Sequence, residues 1–585
     1  MASAGTSLPA ARAPKAGCDA SVRPSKRSRW RVIVLVAVHL IAFAHILHWK
    51  LKGTSISPME PSEAFETLAY GFVNAGFVLL ALAVVSTLLL GRFFCGWACH
   101  VVALQDLCAW MLGKVGLRPR PIRSRLLVWV PVLAAVDIYL LPMLARWVQI
   151  SFFPPAIRFP ESPAFPGFSE HLTTNALWET FPGPWMALLT FFVDGFLIVY
   201  LLGAKGFCTY GCPYGALFGA VDRVAKGRIR VTDACEGCGH CTATCTSNVD
   251  VRREVAQYAM VVDAGCMKCL DCVSVCPKDA LYFGFGPTPA RAPKRPKSKP
   301  KKSYDFSWGE ELVMAAVFLF GLHAFRGLYG AVPFLLSIGL AVIAAVGTIV
   351  AWRLLSRAEL TFQHHLLKRS TKLTGAGFGA VGALLLFLAF TAHSGFVQTH
   401  QRLGDHNLRM ASTLPRPSAE RTRAVAASLG HFRYVDRIGL RDTPELHNKL
   451  GQLLIDAGKN AEAEPHLRRA VELDDSIVSA RMRLAEVLIV GTRYPEATEV
   501  LGEVLARQPL NSDAGRRLAM IVERAPGAVE PRLMLIDLLI RMGNLEGARN
   551  GLLPLQGLAA GDARVQQRLD DLEAARAAAA GEERP

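Results

Sequence analysis

Cys235-Glu236-Gly237-Cys238-Gly239-His240-Cys241-Thr242-Ala243-Thr244-Cys245 and, twenty residues on, Cys266-Met267-Lys268-Cys269-Leu270-Asp271-Cys272-Val273-Ser274-Val275-Cys276, with Pro277 following, decide how this chain is read. Both runs have the spacing C-x2-C-x2-C-x3-C. Three thiolates on so short a loop can wrap three corners of an iron–sulfur cube while the loop's amides point at its sulfurs, and the fourth ligand comes from elsewhere. In this spacing the fourth cysteine of each run serves the other cube. Cys235, Cys238, Cys241 and Cys276 are therefore expected to hold one [4Fe–4S] cluster, and Cys266, Cys269, Cys272 and Cys245 a second. Four ligands saturate a zinc ion, so a structural zinc site does not demand the doubled eight-cysteine pattern. Thr246 stands after Cys245 where the pattern has proline; the ligand set is untouched, and a changed local turn is expected there. With no nucleophile or general base nearby, such clusters pass single electrons.

The surrounding chain is long and apolar. It has 585 residues, 51% of them hydrophobic, so several domains are expected and part of the chain should lie in lipid. The net charge of +17 does not point to nucleic acid, because the Lys and Arg residues gather beside the apolar runs, as positive-inside topology requires. Twelve of the fourteen cysteines fall into four tight groups, leaving Cys18 and Cys108 apart. That is metal-ligand spacing in a reducing compartment rather than a secreted disulfide framework.

About seven membrane spans are expected, over residues 32–49, 69–90, 126–144, 185–202, 311–328, 331–352 and 375–392. Arg123 and Arg125 after the second, Lys205 after the fourth, and Arg353, Arg357 and Lys368 after the sixth place those loops in the cytoplasm. Loops 50–68 and 149–184 are poorer in basic residues and should face the periplasm of a bacterial inner membrane. The domains expected are a disordered basic cytoplasmic arm (1–30), a four-span membrane domain (31–222), the cysteine module (223–285), a basic linker (286–308), a three-span domain (309–395) and a C-terminal tail (396–585). An odd number of spans and a cytoplasmic start put the tail outside. That tail repeats: Leu450, Gly451, Leu454, Ala463, Leu467 and Ala470 recur thirty-four residues later as Leu484, Ala485, Leu488, Ala497, Leu501 and Val504. The period fits tetratricopeptide helix pairs, and a degenerate unit from Leu535 to Leu552 is out of register by half a repeat.

Two further cysteine pairs lie at span ends. Gly91-Arg92-Phe93-Phe94 precedes Cys95-Gly96-Trp97-Ala98-Cys99-His100, and Lys205-Gly206-Phe207 precedes Cys208-Thr209-Tyr210-Gly211-Cys212-Pro213. On a helix a C-x3-C spacing puts both thiols on one face, so Cys95, Cys99, Cys208 and Cys212 can come together to hold another cluster or a metal, or work as a dithiol switch. His100 is open to reading as a ligand or as a surface histidine.

With both kinds of motif in view, residues 30 to 285 resemble the membrane polyferredoxins, among them the quinol-dehydrogenase subunit of periplasmic nitrate reduction, the nitrous-oxide reductase regulator and the cytochrome oxidase copper-assembly protein. The resemblance implies a polytopic α-helical membrane protein with an inserted two-[4Fe–4S] ferredoxin module of α+β fold, here followed by an all-α tetratricopeptide-like solenoid. It also implies cytoplasmic clusters and electron flow toward periplasmic redox enzymes, or reduction of copper during assembly. Family pairs usually read C-x3-C-P, which Cys208, Cys212 and Pro213 match while His100 replaces the proline after Cys99.

Other polar residues in spans carry weaker readings. His39, His45, His48, His323 and His393 do not by themselves point to haem, which needs ligands from two facing helices. Asp137 and Asp194 should face the bundle interior, near a quinone or a proton path or as paired structural groups. Two functions compete. One is electron transfer between a quinol or cytoplasmic donor and a membrane or periplasmic acceptor, in which the chain is a component rather than a stand-alone catalyst. The other is assembly or regulation of a respiratory metalloenzyme, with the repeat domain docking the partner protein.

Overall fold

The computed structural model describes residues 25–152, 167–180, 183–289, 304–559 and 561–582. Most of the basic arm with Cys18, residues 153–166 of the loop expected to face the periplasm and residues 290–303 of the basic linker lie outside them. The chain divides into two compact units, Met1–Gly395 and Phe396–Pro585.

Among the described residues six helices are long and apolar enough to cross a membrane: Lys26–Lys52, Leu127–Leu144, Pro184–Leu202, Trp308–Phe325, Phe334–Ser356 and Gly375–Thr413. Polar groups set the starts of two of them. Ser307 and Glu310 form a reciprocal capping box at the start of Trp308–Phe325, and Glu310 also binds the Arg353 guanidinium at 2.6 Å. The buried Glu311 carboxylate accepts from Ser124 Oγ at 2.5 Å and from the Arg125 N–H at 2.8 Å, and so satisfies the chain just before the span that opens at Leu127.

The expected span over 69–90 begins later than drawn, and still runs from the Phe72–Val73 pairing at one end of the helices to Arg92 on the cysteine module at the other. Its apolar helix is Ala75–Leu90, 16 residues, capped by Asn74, and at ~1.5 Å per residue it is about 24 Å long, short of a ~30 Å hydrocarbon core. Residues 64–70 form a separate short helix, Ala64–Tyr70. The reason lies in the preceding loop, which folds inward: Gly76 is so close to the Glu60 carbonyl that a Cβ there would collide with it, and Tyr139 of the third span donates to the Pro61 carbonyl at 3.2 Å.

At one end of the helices the basic loops gather against the cysteine module. The Arg120 N–H donates to Gln363 Oε1 at 2.7 Å, the Arg123 N–H to Asp305 at 2.7 Å, and Asn248 Nδ2 to the Ile122 carbonyl at 2.8 Å. At the other end Ser55–Ile56 pairs antiparallel with Thr173–Thr174, and Phe72–Val73 pairs parallel with Ser169–Glu170. The module itself is framed by one antiparallel pair, Gly227–Val231 with Leu281–Phe285. Ile229, Val249, Val255, Val261 and Leu281 form its core against the cysteine loops.

The second unit is a stack of helix pairs: Pro444–Asp456 with Asn460–Leu473, then Val478–Val490 with Tyr494–Arg507. Gly451 presses against Leu467, and Ala463, Leu467, Ala470, Ala485, Ala497 and Leu501 are fully buried, which is why small residues recur at those places. Ser512–Arg524 is interposed before Val529–Arg541 pairs with Leu545–Leu552, so the last pair stands half a repeat out of step.

Candidate iron–sulfur site

The two cysteine runs fold into matching loops. Gly237 and Gly239 take φ values of 68° and 92°, and the corresponding Lys268 and Leu270 take 53° and 65°. Left-handed backbone is natural for glycine and costs an L-residue roughly 1–2 kcal/mol, so the second loop holds two strained positions. Lys268 is anchored by burial and by an ion pair of 2.8 Å to Asp222. The turn expected to differ at Thr246 does not. Residues 246–247 and 277–278 both form turns, followed by left-handed Asn248 (φ 62°) and Asp279 (φ 45°). Threonine reaches the same backbone that Pro277 has built in.

Cys235, Cys238 and Cys241 line one cavity together with Cys276 from the far run. The Ala280 N–H points at Cys276 Sγ at 3.3 Å. His240 lines the same cavity; it is buried, and neither ring nitrogen has a hydrogen-bond partner among the described residues. In the second group Cys272 lies in the electrostatic field of Cys266, Cys269 and Cys245, and also in that of Cys241 from the first group. Burial, then the neighbouring Cys266, pushes the Cys245 thiol up to about 12. Thiols crowded like this do not ionise together unless a metal core compensates their charge.

The membrane-edge cysteines also converge. Cys212 is held well above the usual thiol range by burial and by Cys208, Cys99 and Cys95, and Cys99 is pushed up to about 12 by burial, Cys208 and Cys95. Two buried cations offset this. Arg92 hydrogen-bonds Cys95 and faces Cys208 and Cys212, and Lys205 acts on Cys208 to lower its pKa against the effect of burial. Gln105 Nε2 donates to Cys208 Sγ at 3.0 Å. Lys205, expected as a topology marker in a loop, is thus a buried group tied to Asp106 and the Val102 carbonyl.

This quartet packs on the second cysteine loop. Met267 lies in the same apolar cluster as Cys95 and Cys208. Gly96 sits so close to the Met267 carbonyl that a Cβ would overlap it, Trp97 Nε1 donates to the Lys268 carbonyl at 3.0 Å, and Arg92 Nη1 donates to the Ala264 carbonyl at 2.8 Å. Beneath them Asp222, fully buried, binds Lys268 at 2.8 Å and Arg228 at 2.7 Å and accepts from the Arg92 N–H at 3.1 Å. The N-terminal helix is tied in through Ser25 and Ser28, whose hydroxyls donate to Asp271 at 2.7 and 2.6 Å. Three cysteine groups therefore follow one another from the surface, where Cys235 is exposed, to the membrane edge.

A tetrahedral zinc with ~2.3 Å bonds brings its sulfurs to about 3.8 Å from one another. Among the described residues three donor atoms gather within 4.8 Å only at Asp436, His447 and His466, outside all three cysteine groups.

On the far side of the quartet lies a polar chain. Tyr214, two residues after Cys212, hydrogen-bonds Tyr139, whose hydroxyl reaches the Pro61 carbonyl. His100 faces Glu60 at 3.8 Å, a partner for the residue whose role the sequence left open. Burial together with Glu66 and Glu60 pushes Glu63 up to about 7.

Asp137 and Asp194 lie on two π-helical segments, Val136–Leu140 and Phe191–Leu197, a winding that often marks functional positions. Asp137 pairs with Arg326 at 2.9 Å, whereas the Asp194 carboxylate lies against Gly339 with no hydrogen-bond partner among the described residues. In the first span His39 bonds the Leu35 carbonyl, His45 that of Ile56 and His48 the Ser55 hydroxyl. Cys108 packs against Gly195.

Sequence reading missed Arg92, His240, Asp222 and the Glu60–Tyr139–Tyr214 chain. One signal was available: a basic residue stands three positions before each pair, Arg92 before Cys95 and Lys205 before Cys208.

Fold and site define a polytopic helical membrane protein with ferredoxin-type cysteine loops and a tetratricopeptide-type domain, the class the sequence resembles. Comparison with known proteins agrees. A 4Fe-4S binding domain profile matches residues 74–118 and 184–232, which enclose the membrane-edge pairs; a 4Fe-4S dicluster domain matches 234–281, and a tetratricopeptide repeat matches 454–521. The chain is 25% identical over 257 residues to the ferredoxin-type protein NapH of Haemophilus influenzae, covering 40% of this chain and 80% of that one. It is 28% identical over 254 residues to NapH of Escherichia coli (40% and 79%). To the methylamine utilization ferredoxin-type protein MauN of Methylorubrum extorquens it is 28% identical over 193 residues (32% and 60%). A solved structure of YrrB, a TPR protein with a peptide-binding site, is 16% identical at a TM-score of 0.14, covering 33% of this chain and 86% of that one. The NapH and MauN relatives and the two 4Fe-4S profiles support iron–sulfur electron transfer in the membrane.

Proposed function

We propose that this chain is a membrane electron conduit exchanging single electrons between a quinol-type carrier at its membrane side and a redox protein at its exposed cysteine loop. In this reading Cys235, Cys238, Cys241 and Cys276 hold one [4Fe–4S] cluster, and Cys266, Cys269, Cys272 and Cys245 a second. Cys95, Cys99, Cys208 and Cys212 hold a third. Bound clusters supply one-electron carriers whose potentials follow hydrogen bonding, charge and exposure.

The observation that carries the proposal is the seating of Gly96 and Trp97 on the Met267–Lys268 peptide, which joins the membrane quartet to the second loop without an intervening layer. The other residues have supporting roles. Arg92 and Lys205 stabilise anionic sulfur, Asp222 locks the junction, and exposed Cys235 marks where a partner approaches. Quinol oxidation releases protons, and Glu60, Glu63, His100, Tyr139 and Tyr214 line a route for them toward the loop that reads as periplasmic. The repeat domain is read as periplasmic, and its concave face as a dock for a second protein on that side of the membrane.

The test is anaerobic purification followed by paramagnetic resonance during titration with a quinol and with dithionite. Quinol should reduce the centres; centres inert to every donor would end the proposal.

A further inference from the structure

We propose that the repeat domain carries a binding site for one divalent transition-metal ion of the zinc or copper kind, built from His447, His466 and Asp436. The three side chains come from three successive helices: Asp436 from the last turn of Ala419–Ile438, His447 from the first turn of Pro444–Asp456, and His466 from the middle of Asn460–Leu473. The Nδ1 atoms of the two histidines are 2.9 Å apart, Asp436 Oδ1 is 4.0 Å from His447 Nδ1, and all three donor atoms lie within 4.8 Å of one another. Zinc–nitrogen bonds of ~2.0–2.1 Å put ligand atoms about 3.3 Å apart, which small rotations of these side chains reach. Two imidazoles and a carboxylate suit zinc, copper or nickel better than calcium or magnesium.

The surroundings fit a ligand rather than a bare histidine pair. The other nitrogen of His447, Nε2, is hydrogen-bonded to Asp442, and Asp442 is held by Arg469 at 2.8 Å. A carboxylate on the remote nitrogen is the usual support of a metal-binding histidine, because it fixes the tautomer that leaves the lone pair on the ligating atom. Here the Nε2 proton goes to Asp442, and Nδ1 is left to bind. Loading an ion moves the His466 proton from Nδ1 to Nε2. Arg433, the nearby cation, is paired with Glu462 at 2.5 Å. A second pair in the same unit offers the contrast: His400 and His431 also meet through Nδ1 at 3.0 Å, but His400 stacks on Tyr434 and packs against Phe396 rather than on a carboxylate. His447 is buried and Asp436 exposed, so the ion would enter from solvent and keep an open position there.

The test uses the full chain in nanodiscs, anaerobic and tag-free, with its clusters oxidised. Cu2+ is titrated under paramagnetic resonance, and Zn2+ is added as competitor. One equivalent should bind with hyperfine structure from two nitrogens, which sets it apart from copper on cysteine, and zinc should displace it only in large excess. His466→Ala should abolish the signal, Asp436→Asn should weaken binding at least tenfold, and Asp442→Asn should weaken it by roughly 10–100-fold. His400→Ala should leave it unchanged. Asp436 is exposed, so its variant reports on the site even if His466→Ala misfolds. A two-nitrogen signal that survives His466→Ala, equal affinity in Asp436→Asn, or no binding at equimolar ion overturns the proposal.

Discussion

At the scale of single residues, burial decides which charges matter. Asp222 joins Arg92, Arg228 and Lys268 in a site without solvent, where removing one partner leaves uncompensated charge and costs about 3–5 kcal/mol. Asp222→Ala is therefore expected to destabilise the cysteine module by that amount in denaturant unfolding followed by cluster absorbance; a loss under about 1 kcal/mol, the range of surface pairs, would contradict the junction. His240 is the other residue-scale lever. Its buried, unpartnered nitrogens lie in the first cysteine cavity, and a donor there favours the reduced, more negative state of a cluster. His240→Leu should lower the potential of that centre in a redox titration and leave the other centres where they are. Neither residue was legible in the sequence. Asp222 meets Arg92 and Lys268 from two distant segments, and a histidine between two ligand cysteines looks like any loop residue.

At the scale of elements, local patterns were readable and insertions were not. The cysteine loops and the helix pairs announce themselves because their spacing is short and fixed, and the matching flanks of the C-x3-C segments already paired them. The loop before Ala75 folds back against the helices, where Tyr139 donates to the Pro61 carbonyl and His100 faces Glu60, contacts that its composition does not announce. The π-helical turns at Asp137 and Asp194 leave no mark on hydrophobic periodicity at all. Two predictions belong here. Gly96→Val should push the first C-x3-C segment off the Met267 carbonyl, so that quinol no longer reduces the exposed centres while dithionite still does. Glu63, raised to about 7, accepts a proton only once it has lost its own. Quinol-driven reduction should thus rise with pH through about 7 in stopped-flow absorbance, and Glu63→Gln should flatten that rise while sparing reduction by dithionite.

At the scale of the molecule, two units with separate cores allow separate tasks: redox chemistry in the first and partner or metal recognition in the second. A chain ending after Thr413 should keep quinol-reducible centres and lose only the capture of the protein that docks on the repeat domain, as read by activity assays and pull-down against the full chain. The central claim is that the membrane quartet is a third cluster in series with the ferredoxin pair, and the amounts of iron and acid-labile sulfide in anaerobically purified protein test it most directly. About twelve irons per chain are predicted, falling to about eight when Cys95 and Cys208 are both changed to serine. About eight in the unaltered chain would contradict the account.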